Sequence, residues 1–134
     1  MPSALPTSHL HGITILGNCE DIFVGYRYFE TIPEAYDKVI YEFGYGLSYT
    51  DFTTTVDEVK VEGDNIVANV TVKNVGDRAG KEVVQLYFTA PDGVMTKPAK
   101  ELAAFDKTDL LEPGESQTLT LSFPIFDMSS YDDI

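Results

Sequence analysis

From Asp51 onward apolar and polar residues alternate with a period of two, the spacing of strands with one face buried. Ile66, Ala68, Val70 and Val72 alternate with Val67, Asn69, Thr71 and Lys73. Gly63-Asp64-Asn65 reads as a turn, so residues 55–61 and 66–74 are expected to form a hairpin. A second turn, Asn74-Val75-Gly76-Asp77, precedes a strand over residues 82–90. There Val84, Leu86 and Phe88 share one face, and Val83, Gln85 and Tyr87 take the other. The mostly apolar second face implies packing on something outside the sheet. Residues 101–107 form a short strand with Leu102, Ala104 and Phe105 expected near the core. After the turn Leu111-Glu112-Pro113-Gly114-Glu115, Leu119, Leu121 and Phe123 alternate with Thr118, Thr120 and Ser122. Short strands at this spacing predict an all-β antiparallel sandwich over residues 51–134.

Before Asp51 the pattern changes. Residues 20–50 set Gly25, Gly44 and Gly46 among many aromatic side chains and one arginine, Arg27. Glycine and aromatics are poor material for a regular helix, so this seam is expected to hold short extended pieces and tight turns pressed against a neighbouring surface. One helical turn is expected after Pro33, over residues 34–38. Residues 1–19, with two prolines and several small polar residues, read as an arm or linker.

The motifs in this order resemble the domain that closes the β-glucosidase type of family three glycoside hydrolases. VGYRYF (Val24 to Phe29) and FGYGLSYT (Phe43 to Thr50) resemble the seam before that domain. VTVKNVGDRAGKEVVQLYF (Val70 to Phe88) resembles its strand, Asn-x-Gly turn and following strand. KPAKELAAFDK and LLEPGES, within Lys97 to Ser116, resemble its Lys-Glu-Leu-x-x-Phe and Pro-Gly-Glu elements. The resemblance implies a fibronectin type III-like sandwich with no catalytic group, acting as an accessory piece of an enzyme. It implies, as partners, the catalytic barrel and α/β domains of a parent that hydrolyses terminal non-reducing β-D-glucosyl residues with retention. Two departures stand out. Glu42 occupies the place of a usual proline, and the chain ends at MSSYDDI where family members continue with a final strand. That ending predicts a truncated domain or one finished by another segment, and FDMSSYDD resembles members of permuted domain order.

Composition narrows the function further. With 134 residues and no tryptophan, the chain has neither the roughly 250 residues of a (β/α)8 barrel nor the Asp-Trp pair the family uses as its nucleophile. No pair among its 22 acidic residues is marked as a glycosidase pair, so no catalytic residue is assigned. The net charge of −13 disfavours nucleic acid and anionic membrane as partners. His9 and His11 lack a third ligand at fixed spacing, and Asp127, Asp132 and Asp133 read as a solvated end, so no metal or other cofactor is expected. Cys19 is single and has no base in its motif, which excludes an internal disulfide and argues against a nucleophile. The first residues lack the basic start and apolar run of a signal peptide, which together with the lone cysteine favours a cytoplasmic setting.

The remaining candidates lie in the seam. Tyr26, Arg27, Tyr28, Phe43, Tyr45 and Tyr49 are expected at a domain interface or a substrate rim. For Arg27 the expectation is an inter-domain salt bridge with cation–π packing on Tyr26 or Tyr28, the rival being contact with a substrate hydroxyl. A stand-alone module that binds carbohydrate through these rings, or a protein-interaction module with an open strand edge, is the alternative for the whole chain.

Overall fold

The computed structural model describes residues 9–10, 13–14, 22–91, 93 and 95–130. Of the arm, only two short strands are described, β1 (His9–Leu10) and β2 (Ile13–Thr14), which pair antiparallel. Cys19, His11, Asp132 and Asp133 lie outside the described residues. The seam holds two short helices, α1 (Tyr26–Thr31) and α2 (Pro33–Tyr36). Five strands follow: β3 (Phe52–Glu62), β4 (Asn65–Asn74), β5 (Val83–Phe88), β6 (Glu101–Lys107) and β7 (Ser116–Pro124). A single 3-10 turn, Ile125–Met128, comes last.

The strands form two antiparallel sheets, β3-β4-β7 and β5-β6. The expected hairpin is present, running from Phe52 opposite Asn74 to Glu62 opposite Asn65, with a bulge between Val56 and Glu58. Alternation on β4 and β7 places Val70, Val72, Leu119 and Leu121 between the sheets. Val84, Leu86 and Ala104 of the second sheet close over them with Leu111 and Phe52. At one end Phe88 stacks on Phe123, with ring centroids 5.7 Å apart.

Two expectations on β6 fail. Phe105 is 70% exposed, and Leu102 lies beside Tyr87 rather than in the core. The ladder shifts register between Leu86 and Tyr87, because Ala103 is an extra residue on β6. Alternation therefore cannot be carried from Ala104 to Leu102, while Phe105, next to inward Ala104, follows ordinary alternation and sits opposite Gln85 on the outer face.

The tightest polar site in the sandwich surrounds Asn74, which is wholly buried. Its Oδ1 accepts from Thr50 Oγ1 at 2.9 Å and from the Gly76 N–H at 3.1 Å. Its Nδ2 donates to the carbonyls of Arg78 at 2.7 Å and Leu111 at 2.9 Å. Its main chain pairs with the next turn: its N–H donates to Glu115 O, and its carbonyl accepts from the Gly114 N–H. The loop can close this tightly only because Gly76 has no side chain. A Cβ there would meet Thr50 Oγ1 and stand 2.7 Å from the Asp51 amide. Replacing Asn74 by alanine leaves buried donors and acceptors unpaired on several segments, at about 1–3 kcal/mol for each group that water cannot reach. Asn74→Ala is expected to lower unfolding free energy by at least about 3 kcal/mol in urea titrations, with little change in m.

Candidate functional site

The seam folds onto the outer face of the β5-β6 sheet, and α1 is the element that docks. Its start depends on Gly25, whose φ of 62° lets the chain reverse into the helix. It stops at Ile32 because the residue before a proline is driven to extended geometry, here φ −90° and ψ 113°. Pro33 then opens α2 at its first position. A helix in place of the expected extended pieces is a correction, and tertiary contacts account for it. Six residues with aromatic side chains form no helix alone, but four polar contacts hold this one.

Each contact joins α1 to β6 or the loop before it. The Leu102 N–H donates to the Tyr26 hydroxyl at 2.7 Å. The Ala99 N–H donates to Thr31 Oγ1 at 2.9 Å, while Thr31 Oγ1 donates to the Arg27 carbonyl at 2.6 Å. Arg27 pairs with Glu101 at 3.2 Å, and Lys100 pairs with Glu30 at 3.0 Å. Helix geometry sets Arg27 and Glu30 on one face, three residues apart, against the neighbours Lys100 and Glu101. Rings fill the space between. Tyr26 stacks on Phe43 at 4.3 Å and meets Tyr87 edge-on at 6.1 Å. Lys100 sits 5.7 Å above the Tyr87 ring. The apolar second face of β5 is thus covered from within the chain, with Gln85 Nε2 also donating to the Gly44 carbonyl.

The six seam candidates separate into two groups. Tyr26, Arg27 and Phe43 meet at the β5-β6 face; Arg27 takes Glu101 of its own chain as partner, and the cation over a ring is Lys100 rather than Arg27. Tyr28, Tyr45 and Tyr49 point outward, Tyr49 at 91% exposure. They share that outer side with Tyr41, which packs on Tyr45 at 5.1 Å, and with the exposed Ile40 and Leu47. Glu42, the departure from proline, accepts the Tyr36 hydroxyl proton in a hydrogen bond, and that bond holds the Tyr36 pKa above its ordinary value. The polar partners Glu30, Thr31, Lys100 and Glu101 went unnoticed in the sequence. The i, i+3 charges of Arg27 and Glu30 facing the Lys-Glu pair were the available signal.

Two open hollows flank Gly25 and Phe29. One, of ≈ 270 Å³, is lined by Tyr26, Glu30, Val39, Tyr41 and Phe43; the other, of ≈ 230 Å³, by Phe23 and Tyr28. Their walls are mainly apolar, and Glu30, the one carboxylate, is engaged by Lys100. No group of three or more possible metal ligands occurs among the described residues. None of the described helices is long and apolar enough to cross a membrane. The arrangement offers apolar and aromatic contact.

Fold and seam together define a class: residues 82–134 match the fibronectin type III-like domain, and the sheets extend that sandwich back to Phe52. Among curated proteins the chain is 54% identical to β-glucosidase A of Butyrivibrio fibrisolvens, over 86% of this chain and 16% of that protein. It is 51% identical to a β-glucosidase of Ruminococcus albus, over 85% of this chain and 12% of that protein. Among solved structures, a β-glucosidase of Paenibacillus barengoltzii superposes with a TM-score of 0.80 at 56% identity, covering 84% of this chain and 12% of that one. β-Glucosidase 3B of Thermotoga neapolitana, solved with glucose, gives 0.76 at 46% identity, over 84% of this chain and 15% of that one. The chain is a fibronectin type III-like domain, with the seam before it, of the kind carried by the β-glucosidases of glycoside hydrolase family three. It spans 12–16% of the length of these relatives.

Two outcomes test the docked seam. Tyr26→Phe strands the Leu102 amide and is expected to cost about 1–2 kcal/mol in urea unfolding. The second concerns alkali. The Tyr87 pKa lies above its ordinary 10.0, first through burial and then through Tyr26 and Glu30, with Lys100 opposing. The folded state keeps a proton that the unfolded state releases, so this contribution is complete below pH 10 and lost as pH rises through the folded value. Thermal melts from pH 9 to 12 are expected to fall more steeply for the unmodified chain than for Tyr87→Phe.

Proposed function

We propose that the chain serves as a non-catalytic stabilising domain of a β-glucosidase-like enzyme. In this reading residues 1–19 are an arm, residues 20–50 a seam to a preceding α/β domain, and residues 51–134 the sandwich. The parent hydrolyses terminal non-reducing β-D-glucosyl residues with retention, using catalytic groups on a barrel outside this chain. One observation carries the reading: identity above 50% over most of this chain with segments of two proteins named as β-glucosidases.

The seam's two-sided build supports a mechanical role. Its inner side is clamped to β6, while its outer side leaves Tyr28, Tyr41, Tyr45, Leu47 and Tyr49 in water. Exposed rings in this number, with Tyr41 and Tyr45 in contact, suit contact with another domain. Tyr45 and Tyr49, well clear of the clamp, are the residues of this group to bear on a neighbouring domain or the rim of its substrate entrance.

An immunoblot of source cells against this segment is expected to show a band several times 14.8 kDa. The polypeptide in that band should release 4-nitrophenol from 4-nitrophenyl β-D-glucopyranoside, and the 134-residue chain should not. Removing residues 20–134 from the parent should lower its melting temperature. An unchanged melting temperature, or saturable heat when cellobiose is titrated into the chain alone, would instead favour an independent carbohydrate-binding module.

A further inference from the structure

Residues 42–45 form a turn that three other elements hold. The Tyr45 N–H donates to the Glu42 carbonyl at 3.0 Å, which closes the turn, and Gly44 supplies the left-handed φ of 82° at its third position. Each residue ahead of Tyr45 is tied to a different neighbour. The Glu42 carboxylate accepts from the Tyr36 hydroxyl, the Phe43 ring stacks on Tyr26, and the Gly44 carbonyl accepts from Gln85 Nε2 at 3.4 Å. That last bond is long, but the contact behind it is close. A Cβ on Gly44 would stand 2.3 Å from Gln85 Oε1 and 2.4 Å from Nε2, so the amide lies directly against the glycine. Its orientation is fixed from within β5, because the Tyr87 hydroxyl donates to Gln85 Oε1 and leaves Nε2 to face Gly44.

We propose that Gln85 is a positioning residue: held by Tyr87, it seats the 42–45 turn on β5 and so aims Tyr45 at the rim of the parent's substrate entrance. Of the three ties, this one alone comes from the sandwich, since Tyr26 and Tyr36 belong to the seam helices. Gln85 therefore sets the turn relative to the sandwich directly. Tyr45 is 58% exposed and packs on Tyr41, so its ring is presented on a supported base. Such a ring offers an apolar face and a hydrogen-bonding hydroxyl, and a glucosyl unit presents C–H faces and hydroxyls to match. A carboxylate cannot stand in for the amide, because it has no N–H for the Gly44 carbonyl.

The substrate rim rests on the glucosidase reading above, and the experiment separates the two. Its first arm uses the 134-residue chain. Backbone 15N order parameters of Gly44 and Tyr45 are expected near about 0.85 in the unmodified chain and below about 0.6 in Gln85→Glu. Tyr87→Phe should lower them as well, yet add nothing in the Gln85→Glu background, because Tyr87 acts through Gln85. The second arm uses the full-length parent with cellobiose. There Gln85→Glu is expected to raise KM by at least about 5-fold while kcat stays within about 2-fold, a loss of binding without loss of chemistry. Unchanged order parameters would overturn the positioning role, whatever the parent does. Lowered order parameters with an unchanged KM would overturn the aim at substrate. A parent that hydrolyses no β-glucoside would sink the functional reading and the rim with it, while the order parameters still decide whether Gln85 holds the turn.

Discussion

The buried amide of Asn74 is the interaction on which the sandwich depends. It is the last residue of β4, and from there it ties together Thr50 just before β3, the loop through Gly76 and Arg78, and Leu111 before β7. Each of these segments must leave its sheet and bury main-chain groups as it does so. An amide suits the position because it carries two donors and two acceptor lone pairs, and here both donors and the oxygen are used. Its neighbours reinforce it: Gly80 and Leu111 exchange main-chain hydrogen bonds, and the Thr108 N–H donates to the Glu82 carbonyl while Thr108 Oγ1 accepts from the Glu82 N–H. Hydrophobic burial drives the sheets together, but this network decides how their ends are joined.

The network also joins two turns that are far apart in the sequence. Asn-x-Gly and Pro-Gly-Glu read in the sequence as two unrelated turns, 36 positions apart by the numbers of Val75 and Leu111, the residues that follow or open them. In space they are halves of one structure: the first supplies the side chain and a glycine without a Cβ, the second the carbonyls and amides that meet Asn74. A change in either half strands polar groups in the other.

What the sequence made legible follows from where each element gets its stability. β4 and β7 were readable because their alternation records burial directly, and Gly63-Asp64 marks the hairpin turn between β3 and β4. Leu102 was misplaced because period-two reasoning assumes an unbroken ladder and nothing near Ala103 announces a bulge, whereas Phe105, the neighbour of inward Ala104, faces outward by ordinary alternation. α1 was hidden for a different reason. Its local propensity is poor, and the Tyr26–Leu102 bond that helps hold it spans 76 positions of sequence. The resemblance singled out the seam's rings as a group, but the folded structure separates Tyr26, held to β6 and stacked on Phe43, from the exposed Tyr45 and Tyr49.

That separation bears on the mechanical role proposed for the seam. A flexible aromatic segment would have to be ordered before a second domain could rest on it, and ordering costs about 1–2 kcal/mol per residue of backbone. Here the sandwich meets that cost in advance. The clamps from β6 hold α1, and Tyr26 holds Phe43, so the outward rings sit on a fixed base. Single contacts of this type are weak, about 0.5–1.5 kcal/mol for a hydrogen bond and less for a partly exposed ion pair. Acting on one six-residue helix they are cooperative, because the loss of one frees the segment that carries the others. A domain that rested on the outer rings would therefore be held at a fixed angle to the sandwich. Rigidity of that kind transmits position without any chemistry of its own, and it is lost if either the inner clamps or the Asn74 network fails.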